Sequence, residues 1–178
     1  MKKQFKNIFV CLLLLIIAAG CGKNDSEPAF NTWSRFTSEA GKYSVLLPGT
    51  PIEKEQAVQS PNGPMTAHMI AVNTGAHDGY GVSYYDLPIK PDAEKYLDNC
   101  QAQIVGDQGK LISQKDITVG DNMGREFELV KSVEGANYSF VVKMVLAGQR
   151  MYILTGVFPA ANPHPANCDS FFDSLSLQ

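Results

Sequence analysis

A chain of 178 residues with 44% hydrophobic and 19% charged side chains has ordinary globular composition, which excludes a disordered, collagen-like or polytopic membrane protein. The length suits one domain that buries its own core without a metal or dense disulfides. A net charge of −3 argues against a nucleic-acid-binding face.

Lys2, Lys3 and Lys6 open the chain with positive charge, and Ile8 to Ala19 follow as an apolar stretch of twelve residues. A spanning helix needs about 20 apolar residues to cross a hydrocarbon core of roughly 30 Å. Residues 1–20 instead have the length and charge order of a cleaved secretory signal peptide. Ala18-Ala19-Gly20-Cys21 resembles the lipobox of bacterial lipoproteins, although Ala18 stands where Leu is usual. That resemblance implies a diacylglyceryl group on the Cys21 sulfur, with palmitate-type acyl chains as the membrane anchor. The alternative is an ordinary secreted protein cleaved nearby, with Cys21 a bystander. Gly22 is not the Asp that often retains lipoproteins in the inner membrane, which leaves outer-membrane sorting open.

Removing residues 1–20 leaves 12 basic against 18 acidic side chains, a net charge of −6. A polybasic patch is therefore not a second anchor, and the lipid must hold the chain alone. Residues 21–32 are small and polar with no apolar period, and read as a flexible tether. Residues 33–178 remain as a single folded domain. The expected location is the extracytoplasmic face of a bacterial envelope.

Of the four cysteines, Cys11 lies in the apolar stretch and Cys21 is assigned to lipid. Cys100 and Cys168 remain, an even pair in a compartment that permits disulfides. A bridge between them is the favoured expectation, and two buried free thiols are the alternative.

Trp33 to Phe36 reads as a short opening strand and Glu39 to Lys42 as a turn. Tyr43 to Leu47 follows as a strand, closed by Pro48-Gly49-Thr50-Pro51. Ile52 to Ser60 is a polar, edge-like strand. The turn signal Pro61-Asn62-Gly63-Pro64 joins it to Met65–Val72 as a hairpin. Gly79 to Leu87 is a strand with Tyr80, Val82 and Tyr84 on one face. Asp92 reads as the N-cap of a helix carrying Ala93, Tyr96, Leu97, Cys100 and Ile104, with Gly106 as its stop. Three strands follow, Leu111–Val119, Arg125–Val133 and Tyr138–Leu146, with a tight Glu134-Gly135 turn between the last two. In the third of these Tyr138, Phe140, Val142, Met144 and Leu146 share a face opposed by Val141 and Val145. Arg150–Phe158 is a further strand. A proline-rich link leads to a final helix striped by Cys168, Phe171, Phe172 and Leu175. A sheet apolar on both sides must be covered on both sides, so the expected class is α+β, a mostly antiparallel sheet flanked by two helices.

Several motifs carry a resemblance: Trp33-x-x-Phe36, Gly41-x-Tyr43-Ser44-Val45-x-x-Pro48-Gly49-x-Pro51, Gly124-Arg125-Glu126, Arg150-Met151-Tyr152 and Phe171-Phe172-Asp173-Ser174-Leu175. With them, residues 33–177 resemble a PsbP-like domain and are similar to bacterial envelope lipoproteins of the DcrB type. The resemblance implies an α/β/α sandwich on an antiparallel sheet. It implies no activity, since members of this fold bind photosystem proteins, a nuclear-transport GTPase or envelope partners.

Candidates for chemistry are few. His68 lies in a strand, His77 and His164 in loops, and no HExxH, HxH or CxxC spacing occurs, so neither a metal nor a cofactor is expected. No serine sits in a GxSxG elbow, and Cys100 falls on an apolar helix face unsuited to a reactive thiolate. Glu53/Glu55 and Glu126/Glu128 each place two carboxylates on one strand face; a glycosidase uses such proximity, and a solvated edge produces it too. Arg125 and Glu126 point to opposite faces, so that Arg125 either belongs to a turn entering a strand or presents an anion contact on a sheet face. Six tyrosines fall in or beside strands and suit either a core or a groove for a sugar, lipid or peptide. The function expected is a lipid-anchored, non-catalytic module binding an envelope protein or a small ligand. The alternative is an envelope hydrolase or isomerase with a site assembled from scattered residues.

Overall fold

The computed structural model describes residues 33–60, 63–75, 78–165 and 167–178. The expected signal peptide, Cys21, the tether and His77 lie outside the described residues.

The strands are β1 (Ser34–Ser38), β2 (Tyr43–Leu47), β3 (Ile52–Ser60), β4 (Gly63–Asn73), β5 (Gly79–Asp86), β6 (Gly109–Val119), β7 (Asn122–Val133), β8 (Ala136–Ala147), β9 (Arg150–Pro159) and β10 (Ser176–Leu177), with helices α1 (Ala93–Val105) and α2 (Cys168–Asp173). Seven strands form one antiparallel sheet in the order β3-β4-β5-β9-β8-β7-β6, and β1-β2-β10 form a smaller one. Every strand expected from the sequence is present. β10 is additional: two residues carry no period, and their pairing with Ser44 and Tyr43 is tertiary.

Local chemistry explains the joints. Asp92 caps α1, its carboxylate accepting from the Lys95 N–H at 3.1 Å, and Gly106 at φ 59 ends the helix. Glu134 and Gly135, with φ of 52 and 86, make the two-residue turn that sets Val133 opposite Ala136, the left-handed pair such hairpins favour.

β8 shows why the sheet is covered twice. Phe140, Val142, Met144 and Leu146 enter a core with Leu97, Cys100 and Ile104 of α1. Val141 and Val145 enter a second core with Tyr43, Val45 and Leu47 of β2 and Cys168, Phe171 and Phe172 of α2. The expected helix-flanked sandwich is corrected accordingly. One face is covered by a helix, the other by a small sheet and a helix of six residues. The reason is length: α2 is too short to cover a seven-stranded sheet, and β1, β2 and β10 supply the remaining apolar surface.

The expected Cys100–Cys168 bridge does not form. Both thiols are buried and neither is in a disulfide; Cys100 lies in the α1 core and Cys168 in the β2–α2 core, so the large sheet stands between them. Burial pushes the Cys100 thiol up to about 11 and that of Cys168 to about 12, away from the reactive range.

Candidate functional site

The layer over the second face covers β4, β5, β9 and β8 but stops at α2. Beyond it, the Glu126–Glu128 stretch of β7 and the facing part of β6 lie under no apolar cover, leaving a groove of about 440 Å³. Strand alternation chooses its residues. Ser113 opposes Glu128 and Lys115 opposes Glu126, all on the groove side, while Phe127 and Leu129 turn to the α1 core. Val141 lies on the floor, and His164, Asp169, Phe172 and Asp173 line the α2 side.

Lys143 organises the groove from below. Its side chain is 8% exposed; the ammonium donates to the Phe172 carbonyl at 2.8 Å and meets Glu126 Oε1 at 2.7 Å, with Asp173 at 3.9 Å. Lys115 takes the other Glu126 oxygen at 2.6 Å. Burial alone would raise the Glu126 carboxyl, but hydrogen bonds and charge from Lys115 and Lys143 outweigh it and hold the carboxyl below its ordinary range. At the other end His164 stands 2.9 Å from Asp169 through Nε2 and 3.8 Å from Glu128 through Nδ1.

The expected Glu126/Glu128 pair thus shares a face, but the two carboxylates have different company: two lysines for Glu126, a histidine for Glu128. Arg125 does point to the other face, where it is 6% exposed. There it binds Asp98 and Gln101 of α1 and Asp116 of β6. Its anion contacts are the chain's own carboxylates, and they fasten α1 to the sheet.

A second cavity of about 270 Å³ lies where β3 and β4 meet the β1–β2 turn. His68 bonds Glu55 at 3.0 Å and stacks on Tyr84 at 4.7 Å. Arg150 also lies against the Tyr84 ring, 5.0 Å from its centroid, bridges to Asp86 and donates to the Ala40 carbonyl. Tyr43, Tyr80, Tyr84, Tyr85 and Tyr152 are buried, so most of the tyrosines serve the core, with Tyr43 and Tyr84 also lining this cavity. Among the described residues no group of three or more His, Cys, Asp and Glu side chains is arranged to hold a metal ion.

Sequence reasoning missed Lys115, Lys143, Asp169 and Asp173. Only Lys143 left a signal, as the one charge inside an otherwise apolar strand.

No protein-family model matches this chain, and no curated protein matches it. Solved structures do. It is similar to cyanobacterial PsbP (CyanoP) from Synechocystis sp. at 11% identity and a TM-score of 0.57, over 89% of this chain and 99% of that one. Less similar are a protein from Bacteroides thetaiotaomicron (12% identity, TM-score 0.49, 81% of this chain and 48% of that one) and a Pseudomonas aeruginosa protein of unknown function (10% identity, TM-score 0.38, 73% and 85%). The likeness to CyanoP, which spans nearly the whole of both chains, shows a PsbP-like fold.

Proposed function

We propose that the chain is an envelope lipoprotein of the DcrB kind, held to the membrane through Cys21, whose PsbP-like domain is a non-catalytic binding module for an envelope partner. The observation that carries this reading is the groove between β6, β7 and α2: a concave strip of sheet face, rich in charge, beyond the edge of the covering layer. A non-catalytic role is supported by the side-chain chemistry. His68 is paired with Glu55 and stacked on Tyr84, and the two core thiols are buried. The hydrophobic leader and the polar spacing before residue 33 support the anchor.

Two measurements test it. Labelled palmitate is expected to enter the protein, and Cys21→Ser to abolish labelling and move the protein out of the membrane fraction. A photo-crosslinking residue at Ser113 is expected to capture a defined envelope partner that the same residue at Glu94, on the far side, does not. Unchanged fractionation of Cys21→Ser sinks the anchor, and identical crosslinks from both positions sink the groove.

The His164 contacts to Glu128 and Asp169 favour one second reading, a hydrolase or isomerase that uses this imidazole as acid or base. An activity found by broad screening that survives His164→Ala overturns it.

A further inference from the structure

β6 is an outer strand of the large sheet, and its side chains are exposed along most of its length. Such strands present backbone N–H and C=O groups without a partner in the sheet, and proteins ordinarily guard them with charges, prolines, bulges or a covering element. The bulge in β6 lies near one end, between Leu111 and Ser113, and from Ser113 to Val119 its register with β7 is unbroken. That stretch holds no proline. Its two charged side chains, Lys115 and Asp116, are 69% and 75% exposed and pair across the ladder, Lys115 with Glu126 at 2.6 Å and Asp116 with Arg125 at 2.8 Å. Both charges are matched within the fold, so neither is left unpaired to repel an incoming strand.

The groove beside this edge indicates what would lie along it. Small-molecule sites are concave and mostly apolar, whereas charged side chains dominate here. Glu126 is matched by two lysines. Glu128, Asp169 and Asp173 keep 36%, 73% and 80% of their side chains exposed, which leaves the groove with excess negative charge. Ser113, facing Glu128 across the ladder, is the small side chain on the rim. A long side chain arriving from the edge passes over it toward Glu128 and Asp169, which the His164 contacts place at one end of the groove.

We propose that β6 takes up, by strand addition, an extended segment of a partner protein that carries an arginine or lysine opposite Ser113. This rests on the binding-module reading above and states the chemistry of the partner. Main-chain hydrogen bonds along residues 113–119 hold the segment, and the basic side chain fixes its register against the carboxylates.

The test is fluorescence anisotropy with the full protein in detergent micelles and two labelled peptides, Thr-Val-Thr-Arg-Thr-Val-Thr and the same sequence with Glu in place of Arg. The arginine peptide is expected to bind about tenfold or more tighter at low salt, with the difference shrinking as salt screens the carboxylates. Hydrogen exchange is expected to slow at Ser113–Val119 and not along β3, the opposite edge. The double change Glu128→Gln with Asp169→Asn is expected to bring the two peptides to nearly equal affinity. Ser113→Lys, which places a cation of the protein's own at the entrance, is expected to abolish the preference. The exposure of these side chains makes an unchanged melting temperature the control for folding. Equal binding of the two peptides by the unaltered protein overturns the proposal, as does protection away from β6. Spermidine binding in the groove, with neither peptide altering exchange in β6, also overturns it and indicates a small-cation site. Failure of the anchor is read separately, from Cys21→Ser, and leaves this outcome unaffected.

Discussion

Lys143 is a charge in a strand whose neighbours on both sides are valine, methionine or phenylalanine, and its cost is met by two acceptors within 2.8 Å, Glu126 and the Phe172 carbonyl. Removing one member of a buried, bonded pair leaves its partner unmatched. Because Lys115 still holds Glu126, Lys143→Ala is expected to lower stability by about 2 kcal/mol, below the usual 3–5 kcal/mol for such pairs. Urea unfolding measures this, and a loss within about 0.5 kcal/mol, typical of surface changes, would show the pair to be idle. Glu126 makes the pH dependence specific. Its carboxyl sits below its ordinary value of 4.5 in the folded chain, so the stability it contributes is complete above the unfolded value and is lost as pH falls through the folded one. Glu126→Gln is expected to lower the urea midpoint at neutral pH and to flatten its decline in acid. Equal acid sensitivity in both proteins would contradict this. The sequence places Glu126 and Glu128 on one face by alternation alone, but it does not show the lysines beneath, because Lys143 reaches Glu126 from the adjoining strand β8 and Lys115 from β6.

Elements are legible where their signals are local. Asp92 and Gly106 bracket α1 as their chemistry requires, and Asp92→Ala is expected to cost about 1 kcal/mol, read as a lower urea midpoint with faster exchange in the first turn of the helix. Gly124 is a harder constraint. A Cβ there would lie 2.4 Å from the Met144 carbonyl oxygen and 3.1 Å from the Ile117 side chain, and the nearer of these is backbone of the paired strand. Gly124→Ala therefore forces β7 and β8 apart locally, with an expected loss of about 1–3 kcal/mol; a melting temperature equal to that of the unaltered protein would refute it. In the sequence, Gly124 belongs to a dense turn signal. The structure places it one step further, inside β7, where the same small size serves a close approach between strands. The end of the chain is less legible. The stripe Cys168, Phe171, Phe172, Leu175 predicts one helix, yet α2 stops at Asp173 because Ser176 and Leu177 pair with β2.

At the scale of the whole molecule, periodicity says that a side chain is covered but not by which layer. Cys100 and Cys168 each lie on an apolar helix face, and nothing local tells that α1 and α2 pack on opposite sides of the large sheet. The groove is a property of the same scale: it exists because seven strands are wider than three strands and a short helix, a mismatch no single segment encodes. The layering also decides the redox behaviour. Both thiols are buried in separate cores and burial raises both above the ordinary thiol range, so in the folded protein neither is a ready nucleophile. With residues 1–21 removed, the chain holds these two cysteines alone. Alkylation under native conditions is expected to be negligible. In denaturant without reductant both thiols are expected to react, and treating the protein with reductant beforehand is expected to add nothing. Reductant added to the native protein is likewise expected to leave its melting temperature unchanged. Only one arrangement would reverse that result: two cysteines on the same side of the sheet. A mass lacking two added groups until reductant is supplied would therefore show a Cys100–Cys168 bridge and place α1 and α2 on the same side of the sheet.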